Sequence, residues 1–265
     1  MSFDCRNKVA LISGASSGIG RALAVGFGKK GAKVALTGRN IQNLKETKHQ
    51  IQDNGGFSET FPFDLNNINE IPRLVDDIRD YFNEPVTLLV NNAGINIAGL
   101  VEDCPLEAYS SCLQTNFMAP LSLIKNVMDG MKEKGYGQII NISSGCGKRA
   151  LPFASAYSAS KSALNALTDS LRIELAPHSI EVLLFSPGPV DTEVFNRTRY
   201  YGNVNHSYRN DQLSSPEIVA EKIIKASYNS KREVTLSFFS KMGYHLNYWF
   251  PGILDKILIR NLIRN

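Results

Sequence analysis

Short apolar runs alternate along this chain with longer stretches whose apolar positions recur at helical spacing. Val9-Ala10-Leu11-Ile12, Lys33-Val34-Ala35-Leu36-Thr37, Val86-Thr87-Leu88-Leu89-Val90 and Gln138-Ile139-Ile140-Asn141-Ile142 are nearly continuous apolar segments. That is the pattern of strands buried on both faces of a parallel sheet. Phe57 to Phe63, Glu181 to Ser186 and Glu233 to Ser237 add further candidate strands. Between them, helical periodicity marks the segment from Ala22 to Gly31, then Ile41 to Asn54, Ile68 to Phe82, Tyr157 to about Ala176, and Pro216 to Asn229. Ser214-Ser215 before Pro216-Glu217 is a good helix start. The alternation predicts an α/β fold: a doubly wound parallel sheet of about seven strands with helices on both faces.

In such sheets ligands bind at the carboxyl ends of the strands, where the strand order reverses. Gly14, Arg39, Asp64, Asn91 and Ser144 all fall at predicted strand ends. The first strand runs into Ser13-Gly14-Ala15-Ser16-Ser17-Gly18-Ile19-Gly20 and then a helix. Glycines at 14, 18 and 20 permit a tight turn and let main-chain N–H groups approach a diphosphate, whose charge the helix N-terminus favours. Where an NAD site carries an acid, about 20 residues beyond the glycines, this chain has Gly38 and Arg39. A guanidinium there suits a 2′-phosphate and stacks on adenine. The cofactor expected is therefore NADPH/NADP rather than NAD.

Composition bounds this picture without redirecting it. The 265 residues are 43% hydrophobic and 20% charged, with a net charge of +4. That is ordinary globular composition with ample core, and no basic tract with interleaved aromatics argues for nucleic acid. Cys5, Cys104, Cys112 and Cys146 lack metal-ligand spacing and read as free thiols, and no metal is expected. The residues before the first strand contain no apolar signal-like run, and no stretch has the length and apolarity of a membrane span. These features predict a cytoplasmic protein.

Chemistry concentrates between Ser144 and Lys161. Tyr157 and Lys161 are four apart on a predicted helix and so share one face. A tyrosine of ordinary pKa, about 10, is a poor base; a neighbouring ammonium is expected to lower it. With Ser144 close by, the trio is proton-transfer machinery suited to a carbonyl or an alcohol.

The ordered set comprising the Ser13–Gly20 turn, Asp64-Leu65, Asn91-Asn92-Ala93-Gly94, Asn116, Asn141-Ile142-Ser143-Ser144, Tyr157-x-x-x-Lys161 and Pro187-Gly188-Pro189-Val190-Asp191-Thr192 resembles the short-chain dehydrogenase/reductase family, in its single-domain Rossmann-type form. The resemblance covers the chain to about Ser237. It implies a catalytic tetrad of Asn116, Ser144, Tyr157 and Lys161. Ser144 is preferred over Ser143 because the family's serine lies thirteen residues before its tyrosine. It also implies cofactor contacts from Ser13, Gly14, Ser16, Ser17, Gly18, Ile19, Gly20 and Arg39, with Asp64 and Leu65 at the adenine. Asn92, Ala93 and Gly94 would support the cofactor, Lys161 and Tyr157 would flank the nicotinamide ribose, and Pro187, Gly188, Val190 and Thr192 the nicotinamide itself. Ser13 replaces the family's usual threonine and keeps the hydroxyl.

Residues 1–240 are expected to form one domain, with 191–215 as a substrate lid whose Phe195, Tyr200, Tyr201 and Tyr208 suit a bulky or apolar substrate. His206 has no acid or cysteine beside it and receives no role. Residues 241–265 read as an amphipathic appendage: Tyr248-Trp249-Phe250, then a helix from Ile253 to Arg264 with Lys256, Arg260 and Arg264 on one face and Leu254, Leu258, Ile259 and Leu262 on another. Two readings stay open for it, a peripheral membrane contact and a cover for the substrate pocket or a partner subunit. A homodimer is implied by resemblance, through the Tyr157 helix with its small Ala159, Ala163 and Ala166. The expected function is an NADPH-dependent reductase of a fairly apolar ketone or aldehyde, reversible with the secondary alcohol. The alternatives are a 3-oxoacyl reductase of fatty-acid type, disfavoured by the unlike tail, and a non-catalytic nucleotide-sensing or scaffold protein on the same fold.

Overall fold

A computed structural model describes residues 3–193, 197–203, 213–236 and 238–260, with side chains omitted for 238–241. The strands are β1 (Val9–Ser13), β2 (Lys33–Gly38), β3 (Phe57–Pro62), β4 (Val86–Asn91), β5 (Ile97–Ala98), β6 (Gly137–Ile142), β7 (Ile180–Ser186), β8 (Arg199–Tyr200) and β9 (Glu233–Thr235). The helices are α1 (Gly18–Lys29), α2 (Ile41–Asp53), α3 (Ile71–Phe82), α4 (Leu106–Leu113), α5 (Ala119–Lys134), α6 (Ser155–Leu175), α7 (Pro216–Tyr228), α8 (Phe238–Trp249) and α9 (Pro251–Leu258). Seven strands form one sheet in the order β3-β2-β1-β4-β6-β7-β9, and every pairing in it is parallel. The order reverses between β1 and β4, so a crevice opens there at the strand ends.

Strand alternation sends side chains to two cores. Ala10, Ile12, Val34, Leu36, Ile140 and Phe185 pack with Leu23, Phe27, Leu44, Ile51, Val219 and Ile223, from α1, α2 and α7. Val9, Leu11, Ala35, Leu89, Ile139 and Val182 pack with Ile71, Leu74, Ile78, Leu123, Val127 and Leu171, from α3, α5 and α6. With both faces covered, the strands show the continuous apolar runs by which they were predicted. Polar atoms inside the sheet are chained together. Asn91 donates to Asn141 at 2.8 Å, Asn141 to Thr168 at 2.9 Å, and Thr168 to the Leu164 carbonyl at 2.6 Å. This network ties β4, β6 and α6 at one level, just below the strand ends.

Several boundaries differ from expectation. α1 begins at Gly18 rather than near Ala22, because glycines carry no side chain to register in a hydrophobic period. The segment from Ile68 opens with a 3-10 turn before α3 starts at Ile71, where Pro72 fits the first turn. β9 ends at Thr235, and Ser237 lies outside the described residues. The tail holds two helices, α8 and α9, where one was expected, because Pro251 restarts the helix after Phe250. A small second sheet, β5 with β8, was not anticipated: two residues give no periodicity to read. Phe195, His206, Tyr208, Leu262 and Arg264 lie outside the described residues.

Candidate functional site

A cavity of about 1550 Å³ opens at the strand ends on the reversal point. It exceeds the roughly 300–1,000 Å³ of a site for one drug-sized ligand, which leaves room for a dinucleotide beside a second small molecule. Gly14, Ser16, Ser17, Gly18, Ile19, Arg39, Asp64, Leu65, Asn92, Ala93, Gly94, Ser144, Tyr157, Lys161, Pro187, Gly188, Val190 and Thr192 all line it. Ser13, Gly20 and Asn116 do not line the cavity; they stand behind it.

The glycine turn is shaped by close approach. Gly14 has φ of +67°, and a Cβ at Gly20 would stand 2.2 Å from the Gly14 carbonyl oxygen and 2.5 Å from the Asn92 amide nitrogen. Only hydrogen at position 20 lets α1 start this near the turn. Ser13, buried, gives its hydroxyl to the Val90 carbonyl and accepts from the main-chain N–H groups of Asn92 and Ala93. Asn92 in turn donates to the Ser13 carbonyl at 3.0 Å. This hydroxyl therefore locks β1 to the β4 loop. Thr192 comes down on the same turn: a Cβ on Gly18 would stand 3.0 Å from its methyl carbon.

This cradle fits an anionic dinucleotide. Ser17 caps α1 without a side-chain hydrogen bond, and the first turn of α1 carries no acid. Its leading N–H groups are thus left to an external acceptor. Arg39 is exposed at the rim, next to Asn40, whose side chain caps α2 by accepting from the Asn43 N–H at 3.0 Å. Asp64 accepts from the Asn66 N–H at 3.0 Å, and Asn66 is held by Thr115 and Gln114.

The second group of residues comes from β6 and α6. Ser143 and Ser144 part ways at the strand end. Ser143 is buried, with its hydroxyl on Asn165 at 2.5 Å. The Ser144 oxygen caps the short 3-10 turn Gly145–Gly147 by accepting from the Cys146 N–H at 3.2 Å, and its hydroxyl also reaches Tyr157. Of the two serines, Ser144 is the one that lines the cavity beside Tyr157 without being tied to Asn165. Lys161 is almost wholly buried and donates to the Ile142 carbonyl at 2.8 Å.

Asn116 lies in a single π-helical stretch, Gln114–Met118, between α4 and α5. Such bulges redirect one side chain and frequently mark functional sites. Its amide accepts from the Ile95 N–H at 2.9 Å and donates to the Ile95 carbonyl at 3.0 Å and to Ser160 at 2.9 Å. Ser160 passes its own proton to the Tyr157 carbonyl at 2.7 Å. Gly94 completes the wall between Asn116 and Lys161: a Cβ there would lie 3.1 Å from the Asn116 oxygen and 3.7 Å from the Lys161 nitrogen.

The electrostatics correct one expectation. Tyr157 is not lowered by Lys161. Burial raises the phenol above the ordinary tyrosine value, against a smaller lowering by the Ser144 hydrogen bond. The ammonium is 5.9 Å from the ring centre and spends its hydrogen bond on the Ile142 carbonyl. Desolvation acts on Lys161 instead, pulling it from 10.5 to about 8.

The sequence did not single out Ser160, Cys146, Arg149 or Leu151. Cys146, Arg149 and Leu151 line the cavity. Ser160 lies inside the Tyr-x-x-x-Lys spacing, yet spacing alone does not show which intervening side chain turns inward. The appendage is also part of the site: Met242, Leu246, Leu254, Ile257 and Leu258 form cavity wall. Of the two readings of the tail, covering its own pocket is the one the structure displays. The described segment 197–203 is anchored through β8, which lies parallel to β5, and Tyr201 packs on a small cluster with Ile97, Cys104 and Cys112.

Comparison with known proteins identifies the family and the fold. The family model described as short chain dehydrogenase matches residues 8–200. A Drosophila melanogaster protein called dehydrogenase/reductase SDR family protein 7-like is 32% identical over 97% of this chain and 81% of its own. A ketoacyl reductase, HetN, from Nostoc is 32% identical over 87% of this chain and 78% of its own. Among solved structures, a metagenomic short-chain oxidoreductase in complex with NADP superposes with a TM-score of 0.74 at 28% identity, covering 88% of this chain and 98% of that one. A short-chain dehydrogenase/reductase from Burkholderia phymatum in complex with NAD shares the fold, with a TM-score of 0.85 at 21% identity over 95% and 96%.

Proposed function

Because this chain belongs to the short-chain dehydrogenase/reductase family, we propose that it is an NADPH-dependent oxidoreductase that interconverts a fairly apolar ketone or aldehyde and its alcohol. The observation that carries the reading is the convergence of Ser144, Tyr157 and Lys161 on the same cavity as the glycine turn and Arg39.

The open N-terminus of α1 would hold the cofactor's diphosphate, Arg39 its 2′-phosphate, Asp64 and Leu65 its adenine, and Thr192 with the Pro187–Val190 backbone its nicotinamide. When bound, the nicotinamide supplies or accepts hydride at the carbonyl carbon. Everything else falls to the chain. Ser144 donates a hydrogen bond to the substrate oxygen and orients it. Tyr157, kept protonated by its burial, delivers its hydroxyl proton to that oxygen in reduction and takes it back in oxidation. Lys161, poised near 8, trades protons close to neutral pH. Asn116 and Ser160 hold the Ile95 backbone and the Tyr157 turn in register behind them.

Consumption of NADPH with ketones of graded size tests the reading. Tyr157→Phe is expected to bind NADPH with wild-type affinity and lose turnover by about 10²–10⁴-fold, the usual contribution of a positioned proton donor. Near-wild-type reduction by that variant refutes the assignment, and NADPH binding without turnover of any carbonyl favours a sensing role. A 3-oxoacyl reductase is the second reading, supported by the Nostoc relative's name; selective use of 3-oxoacyl thioesters would establish it.

Two assembly features complete the proposal. The α6 face with Ala159, Ala163 and Ala166 is read as a homodimer surface, which light scattering on the eluted protein tests. Tyr248, Trp249, Phe250 and Ile253 are exposed and, with Lys256 and Arg260, are read as a peripheral membrane contact. Loss of co-sedimentation with anionic liposomes on deleting residues 244–265 is the expected result, and unchanged sedimentation removes the idea. Among the described residues no helix is long and apolar enough to cross a membrane.

A further inference from the structure

The loop that follows Ser144 is fastened to the C-terminal helices. Arg149, four residues beyond Gly145, makes an ion pair with Asp255 of α9 at 2.5 Å. Lys148 pairs with Glu233 of β9 and lies over the Tyr244 ring of α8, 4.9 Å from its centre. Three links thus run from two adjacent residues of the loop after Ser144 to the last strand and to both tail helices. Isolated surface pairs of this kind are weak. Here they act together, at positions where Leu254, one residue before Asp255, is buried and Leu246 and Leu258 face the cavity.

Behind the latch lies a second space of about 360 Å³, lined by Arg149, Leu151, Pro152, Asp255, Leu258 and Ile259. Arg149, Leu151 and Leu258 line both this space and the main cavity. They are the partition between the two. This end of the cavity is therefore largely apolar and built from residues outside the sheet.

We propose that the helix pair α8–α9 is the substrate-selecting wall of the site, taking carbonyl compounds with an extended apolar body, and that Asp255 is the positioning residue that seats it on the Ser144 loop. This rests on the oxidoreductase reading above. A short carbonyl compound reaches Ser144 and Tyr157 without touching the wall. A long one lays its apolar body along Leu246, Leu254 and Leu258, and its binding depends on how the wall is seated. Asp255 itself lines the smaller space and takes its hydrogen bond from Arg149, five residues beyond Ser144.

The test compares a short diketone with a straight-chain methyl ketone series of rising length. In Asp255→Asn, KM for the longest ketones is expected to rise about tenfold, the effect of losing one charge-assisted contact. The short diketone should keep its kcat/KM within about twofold. The exchanged pair, Arg149→Asp with Asp255→Arg, should recover the long ketones. Equal effects on short and long substrates, or none on either, overturn the proposal. Trp249, the one tryptophan of the chain, stands at the end of α8 and gives a readout that needs no turnover. Its emission should shift with the long ketone but not with the diketone, and the shift should be lost in Asp255→Asn. If that shift is present while no carbonyl is reduced, the wall stands and the oxidoreductase reading falls. If NADPH is consumed while Asp255→Asn is indifferent to chain length, the reading stands and the wall falls.

Discussion

Lys161 donates its ammonium proton to the main-chain carbonyl of Ile142 at 2.8 Å, so the last residue of β6 holds the lysine of α6 at the strand end. The hydrogen bond offsets only part of the cost of burying the charge, and the lysine is drawn down to about 8. A buried ammonium with a lowered pKa destabilises the fold wherever the unfolded chain remains charged. Below about 8 both states are charged and the penalty is full. Between about 8 and 10.5 the folded state has released the proton while the unfolded state keeps it, so stability rises with pH.

Urea denaturation of wild type and Lys161→Met across pH should show this sign. The stability of wild type relative to the variant is expected to climb by about 3 kcal/mol between pH 7 and 10.5, as a fall from 10.5 to about 8 implies at roughly 1.4 kcal/mol per pH unit. A difference that stays flat would mean that Lys161 titrates at its ordinary value, and one that declines that its pKa is raised by folding.

Gly20 carries a steric prediction. A methyl group there collides with the Gly14 carbonyl and the Asn92 amide. Both are held by the Ser13 network, so neither yields cheaply. Gly20→Ala is expected to lose about 1–3 kcal/mol of stability, as overpacked sites do, and to weaken NADPH binding through displacement of α1. Gly55→Ala serves as a contrast: its added Cβ meets nothing within 4 Å, and any loss there comes from its φ of +74° alone. Thermal melts with and without NADPH separate the two, since only Gly20→Ala should lose the ligand-induced gain.

Arg39 decides between two cofactors. Arg39→Ala should raise KM for NADPH by about 10–100-fold, the worth of one or two charge-assisted hydrogen bonds, and leave KM for NADH within a few-fold. Equal KM changes for the two would show that Arg39 meets the adenine face rather than a phosphate.

Much of the site was legible because its determinants are local. A strand ending in glycines before a helix, an arginine after the second strand, and a tyrosine four residues before a lysine depend on backbone geometry that a few neighbours fix. The seven-strand alternation is legible for the same reason: burial on both faces writes itself as an apolar run. Elements without a period, such as the two-residue strands β5 and β8 and the π-helical stretch holding Asn116, leave no such trace.

What sequence by itself determined was the doubly wound order of elements and the identity of the groups at the strand ends. What only the tertiary structure decided was how those groups are solvated and what surrounds them. Tyr157 stands one helical turn from Lys161 in either description. Its proton affinity, however, follows from burial by distant segments, and burial moves it opposite to the neighbouring charge's expected pull. Likewise an amphipathic tail has an apolar face whatever lies opposite. That Leu254 and Leu258 turn to the cavity, with Asp255 on Arg149, depends on contacts across more than a hundred residues, and no local pattern encodes them.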